Sequence, residues 1–199
     1  MATRKLKQAL IVVDVQNDFC PGGTLAVPHG DEVVAPLNEL IDEFLEQGAP
    51  VYKSRDWHPA KTKHFADYGG TWPVHCVQNT KGAEFHPALR NDPRINVISK
   101  GLGDKDCYSA FDETDLAAKL RQQHVEEVVV GGLATDYCVK NTVLDALKNG
   151  FKVKALTNAM RAVELQPGDG DRAIEEMRTA GAEVVEDNWK EAGADSRSR

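Results

Sequence analysis

No two of the four cysteines stand at CxxC spacing; Cys20, Cys76, Cys107 and Cys138 are scattered along the chain. That scatter excludes a cysteine zinc knuckle or a dithiol redox pair. It reads as free thiols of a reducing compartment rather than a disulfide framework. Positive charge is also short: Lys and Arg number 24 against 31 Asp and Glu, for a formal net charge of -7. A nucleic-acid or anionic-membrane surface wants a basic patch, so neither partner is expected. Apolar residues never run to the roughly 18 in succession that a membrane span needs. The start, Met1 to Lys7, leads only into the apolar residues 9–13 before an aspartate, too short for an export signal. A cytoplasmic protein is expected. Internal repeats and composition breaks are missing as well, so residues 1–199 are expected to form one domain.

What is present is an alternation. Residues 9–15 are a near-continuous apolar run interrupted by Asp14, as in a central strand buried on both faces. Apolar residues at helical spacing over 31–47 predict a helix that stops at Gly48, with Pro36 shifting its start toward that residue. Further strands are predicted at 51–54, 95–99, 127–131, 152–156 and 182–185, and further helices at 114–124, 136–149 and 169–179. This order predicts an α/β fold: three layers, a mostly parallel six-stranded sheet, and helices on both faces. The polar tail 191–199 is expected to fray.

In such sheets, sites form beyond the carboxyl ends of the strands. Asp14, Lys100 and Cys138 stand at those ends on the first, third and fourth strands. A carboxylate in an apolar strand has reason to carry a raised pKa and act as a base. A lone lysine is usually solvated surface, and Lys100 gains interest only from sharing that rim. Cys138 follows Gly131-Gly132-Leu133-Ala134-Thr135-Asp136-Tyr137, where a helix is expected to begin. A thiol there faces unpaired N–H groups and the positive end of the helix dipole, which favour thiolate. Residues 55–94 keep no sustained period, and loops of that length in a compact domain are usually functional. Within them Asp56-Trp57-His58 places a carboxylate and an imidazole on one side of an extended segment, and His64 and His75 follow. One carboxylate and several imidazoles suit a divalent ion such as zinc, iron or manganese, with open positions for water and substrate.

Asp14-Val15-Gln16-Asn17-Asp18-Phe19, Lys100-Gly101 and Gly132-Leu133-Ala134-Thr135-Asp136-Tyr137-Cys138-Val139 resemble the three motifs of a cysteine hydrolase family. The family contains isochorismatases and nicotinamidases, and the resemblance spans residues 8–186. Asp56-Trp57-His58-Pro59, Gly70-Thr71-Trp72-Pro73-Val74-His75-Cys76-Val77 and Gly82-Ala83-Glu84-Phe85-His86 are similar to the nicotinamidase branch. The resemblance implies the isochorismatase-like hydrolase fold with a metal-binding loop insertion at about 55–94. It implies catalytic Asp14, Lys100 and Cys138, an oxyanion hole of the Ala134 and Cys138 amides, and a cis Leu133–Ala134 peptide. It further implies one divalent metal on Asp56, His58 and His75, and a ring pocket walled by Phe19, Trp72 and Tyr108. His64 resembles a fourth histidine of mycobacterial-type members and stands outside the assigned ligands; His86 is not assigned. The implied reaction is hydrolysis of nicotinamide to nicotinate and ammonia through a cysteine thioester, in NAD salvage, with pyrazinamide also accepted. The rival is another small-amide or carbamoyl amidohydrolase of the same family. The expected partner is the small molecule nicotinamide, and self-association into a homo-oligomer stays open.

Overall fold

The computed structural model describes residues 6–186, so the tail expected to fray lies outside the described residues. The strands are β1 (Gln8–Val13), β2 (Val51–Asp56), β3 (Asn96–Lys100), β4 (Glu127–Leu133), β5 (Lys152–Arg161) and β6 (Glu183–Val185). The helices are α1 (Val34–Glu46), α2 (Leu116–Gln122), α3 (Lys140–Lys148) and α4 (Asp169–Thr179). The six strands make one sheet in the order β3-β2-β1-β4-β5-β6. Every neighbouring pair is parallel, so the sheet expected to be mostly parallel is entirely so.

The period of two in a strand divides the apolar residues between two cores. β1 sends Leu10 and Val12 to one face and Ala9, Ile11 and Val13 to the other, all fully buried. The first face is covered by α1 through Leu37, Ile41 and Phe44. The second is covered by α2, α3 and α4 through Leu116, Leu120, Val143 and Met177. The β2–β3 connection contains only short 3-10 turns, yet it supplies Cys76, Ala83 and Leu89 to the α1-side core. Irregular chain thus stands where a second helix would sit. No helix among the described residues is long and apolar enough to cross a membrane.

The elements depart from the sequence pattern where glycine and proline have a packing reason. α1 starts at Val34, ahead of Pro36. The proline therefore lies in the first turn, where its missing N–H has no intrahelical partner to lose. β4 runs two residues beyond the expected end, through Gly131 and Gly132 to Leu133. Gly131 marks close approach: a Cβ there would come 3.0 Å from the Ala159 carbonyl oxygen and 3.2 Å from Leu37. Gly132 has φ +131, and a Cβ would lie 2.1 Å from the Val13 carbonyl oxygen. β5 likewise continues past polar Thr157 and Asn158 because Met160 and Arg161 pair with Gly132 and Leu133. The helix expected over 136–149 is two pieces, a wide π-type turn at Thr135–Val139 and then α3.

Leu37 is fully buried in the core between α1 and the sheet. Leu37→Ala is expected to cost about 2–5 kcal/mol by transfer loss and cavity formation. Gly132→Ala is expected to cost more, because backbone rather than a side chain must move. Urea unfolding of both variants checks this, and a Gly132→Ala protein as stable as the parent would contradict the close packing of β1 on β4.

Candidate active site

The carboxyl ends of β1, β3 and β4 bring three side chains together. Lys100 Nζ lies 2.8 Å from Asp14 Oδ2 and donates to Cys138 Sγ at 3.5 Å. It also donates to Asp56 Oδ1 at 2.5 Å and to the Cys107 carbonyl at 3.0 Å. Strand register produces the lysine's position, because Asp56 and Lys100 are paired across β2 and β3. Asp14 follows β1 with φ +48, and its Oδ1 accepts the Ser54 hydroxyl at 2.6 Å. All of these side chains are buried.

Their charges are set by burial and by one another. Burial drives the Asp14 carboxyl above its ordinary pKa against the pull of Lys100. Burial would lower Lys100, but the Asp14 and Asp56 carboxylates override it and hold the ammonium well above its ordinary value. Burial would likewise raise Asp56, yet Lys100 and His58 keep it ionised below the usual carboxylate range. Cys138 is pushed well above the ordinary thiol value by burial, with Lys100 drawing it down and Asp14 and Asp56 adding to the rise. This corrects the expectation of a helix-end thiolate. Cys138 sits within the turn that precedes α3, and desolvation outweighs the pull of the lysine.

Three imidazoles gather beside this cluster. His58, His64 and His75 each offer a ligand atom, and the three atoms lie within 4.8 Å of one another. His58 Nδ1 meets the Gly101 carbonyl at 3.0 Å, His75 Nδ1 meets the Pro73 carbonyl at 2.7 Å, and His64 Nδ1 meets Asp106 Oδ1. Each acceptor takes an N–H, which leaves the Nε2 lone pair of each ring as the ligating atom. Asp56 Oδ2 stands 3.5 Å from His58 Nε2 and 3.8 Å from His75 Nε2. His58 Nε2 is buried with no hydrogen-bond partner among the described residues. Burial lowers the pKa of His64, and lowers that of His75 to about 4, so both rings are neutral near pH 7. Three imidazoles and a carboxylate, with an orphaned nitrogen among them, fit a first-row divalent ion. His64, outside the assigned ligands on sequence grounds, belongs to this group by position.

A pocket opens onto both clusters. Phe19, Trp72 and Tyr108 line it as expected, with Asp56, His64 and His75 from the histidine group and Ala134 and Cys138 from the nucleophile turn. Trp72 Nε1 donates to the Tyr108 hydroxyl at 2.9 Å, and Trp72 meets Tyr137 edge-on at a centroid distance of 4.9 Å. The Leu133–Ala134 peptide is cis. Leu25, Val27, Tyr137 and Val163 also line the cavity and were not singled out in the sequence. Tyr137 was within reach, next to Cys138. Leu25, Val27 and Val163 come from distant loops and carry no local signal. Ser54 was legible in principle: it is two residues before Asp56 on β2, hence on the same face.

Residues 8–188 match the Isochorismatase domain family. The nicotinamidase of Escherichia coli (strain K12) is 44% identical over 207 aligned residues, which cover 92% of this chain and 97% of that one. The nicotinamidase/pyrazinamidase of Mycobacterium tuberculosis is 41% identical over 189 residues, covering 89% and 98%. Among solved structures, the pyrazinamidase of Pyrococcus horikoshii in complex with zinc superposes with a TM-score of 0.86 at 47% identity, covering 91% of this chain and 99% of that one. The family match over nearly the whole chain and these identities agree with the geometry of the site: the chain belongs to the isochorismatase family.

Proposed function

We propose that this protein hydrolyses nicotinamide to nicotinate and ammonia, with Cys138 as nucleophile, and that it also accepts pyrazinamide. The observation that carries the proposal is a single cavity shared by Cys138, an aromatic wall and the imidazole–carboxylate group. A flat heteroaromatic amide has three needs there: a nucleophile at its carbonyl, faces for its ring, and an electrophile for its ring nitrogen. The similarity to the nicotinamidases supports the same choice of substrate.

Asp14 accepts the Cys138 proton as sulfur attacks the amide carbon, since burial disfavours a standing thiolate. The Ala134 and Cys138 amides receive the oxyanion, a contribution of roughly 3–4 kcal/mol per donor in other acyl-transfer enzymes. Lys100 holds the carboxylate through the charge changes of the cycle. Asp14 then returns the proton to departing ammonia, and water hydrolyses the thioester. Phe19, Trp72 and Tyr108 wall the ring. Asp56, His58 and His75, joined by His64, would hold one divalent ion, zinc, iron or manganese. That ion supplies, when bound, an electrophilic anchor for the ring nitrogen and ordered waters. The product is a precursor for NAD salvage. Four unpaired cysteines support a cytoplasmic setting.

Cys138→Ala is expected to lower ammonia release from nicotinamide by about 10⁴-fold or more with the fold unchanged by circular dichroism. A variant that still turns over would remove Cys138 from the nucleophile's role. Mass spectrometry with an aldehyde analogue of nicotinamide is expected to show an adduct on the parent and none on Cys138→Ala.

The metal set is tested through Gly101. Its φ is +68, and a Cβ there would lie 2.5 Å from the His58 ring. Gly101→Ala is therefore expected to lower the metal content found by elemental analysis. Stoichiometric metal retained in that variant would detach His58 from the ligand set. Full activity of the parent after chelation would favour a metal-independent amidohydrolase of the same family.

A further inference from the structure

Lys100 is not the only side chain that holds the proposed base. Asp14 is fully buried, and its two oxygens have different partners. Oδ2 faces Lys100 Nζ at 2.8 Å, while Oδ1 accepts the Ser54 hydroxyl at 2.6 Å. That length is typical of an O–H donor to an ionised carboxylate. A second bond joins the same two residues, from the Asp14 amide to the Ser54 carbonyl at 3.2 Å. Ser54 is 1% exposed and lies on β2, between fully buried Tyr52 and nearly buried Asp56 on one strand face. A hydroxyl at such a position costs free energy unless it is bonded, and an apolar side chain would suit a strand interior better. The Asp14 carboxylate is the partner that accounts for it.

We infer that Ser54 is the positioning residue of the base: its hydroxyl fixes the plane of the Asp14 carboxylate, so that the carboxylate stays aligned on Cys138 for both proton transfers. This rests on the reading of Asp14 as the base. Lys100 cannot do the same alone. An ammonium with three rotatable donors holds a distance but not a plane, and this one is shared with Asp56 and the Cys107 carbonyl. Cys138, Asp14 and Ser54 then form a nucleophile, a base and an orienter, the arrangement in which a third group aligns the base.

The test is the pair Ser54→Ala and Ser54→Thr beside the parent, with steady-state hydrolysis of nicotinamide and the affinity for nicotinate by calorimetry. Ser54→Ala removes only the hydroxyl. It is expected to lower kcat by about 10–100-fold, the usual effect of losing such an outer partner, with KM and the nicotinate Kd within about twofold of the parent. Ser54→Thr restores the donor and is expected to recover kcat to within about threefold of the parent. Three results overturn the inference. One is a Ser54→Ala kcat within about twofold of the parent. Another is a KM and nicotinate Kd that move in step with kcat, which would mean general damage to the pocket. The third is a Ser54→Thr protein as impaired as Ser54→Ala. A parent that releases no ammonia defeats the proposed function itself, and the role of Ser54 falls with it.

Discussion

The site depends on one buried cation. Lys100 is 1% exposed and lies between two carboxylates, Asp14 at 2.8 Å and Asp56 at 2.5 Å. Burying an ammonium costs several kcal/mol unless it is paired and its remaining donors are satisfied. Here the Cys107 carbonyl and the Cys138 sulfur take up further donor directions. Each partner comes from a different segment, so the ion cluster fastens the ends of β1, β2, β3 and the nucleophile turn to one another. It also carries a surplus: one positive charge against two negative ones. A cation held by His58, His64, His75 and Asp56 Oδ2 would offset that surplus on the far side of Asp56. The proposed nucleophile and the imidazole–carboxylate group are thus parts of one electrostatic unit, joined through the two oxygens of a single carboxylate.

The same surplus, together with burial, acts on the Cys138 thiol. A helix terminus contributes about 0.3–1 kcal/mol to a charged group near the surface, and Cys138 is buried. Desolvation, with Asp14 and Asp56 near it, favours the neutral thiol more strongly than Lys100 favours the thiolate. Asp14 is also raised by burial, so both ends of the proton transfer are drawn toward the protonated form. With Cys138 as the proposed nucleophile, activation then belongs to the moment of attack rather than to a standing thiolate.

Local pattern carried most of the fold and the chemically dense part of the site. The alternation of strands and helices was readable because β1, β4 and the helices have clean periods, and α4 was predicted over its full observed span. Asp14, Lys100 and Cys138 were readable because parallel topology sends strand ends to one rim. Misreadings arose where a residue served a distant neighbour. Gly131 and Gly132 looked like the end of a strand, but they are small because Ala159, Leu37 and Val13 press against them. Thr157 and Asn158 looked like a boundary, but pairing to the end of β4 carries β5 past them. Val163 reaches the cavity from the segment after β5, and nothing near it in sequence signals that.

The long β2–β3 connection shows how irregular chain acquires a fixed shape. Its backbone polar groups need partners that a helix or strand would have provided, and the segment after β1 supplies several. The Gln16 side chain donates to the Asp56 carbonyl and accepts from the Asp56 amide, both at 2.8 Å, and also donates to the Ala83 carbonyl at 2.9 Å. Asn17 donates to the Lys81 carbonyl at 2.7 Å, and Asp18 accepts from the Cys76 amide at 2.7 Å. Gln16 thereby stands in for a sheet partner at the end of β2, and Asp18 anchors the residue after His75. The segment that begins with the proposed base therefore also anchors Asp56 at the end of β2 and the connection that carries His58, His64, Trp72 and His75. These anchors are bonds to backbone groups, and their steric demand falls on Gly82, where a Cβ would lie 2.1 Å from Asp18 Oδ2. Substitutions elsewhere in the connection can change what the cavity accepts while the Asp14–Lys100–Cys138 cluster, built on strand register, keeps its geometry.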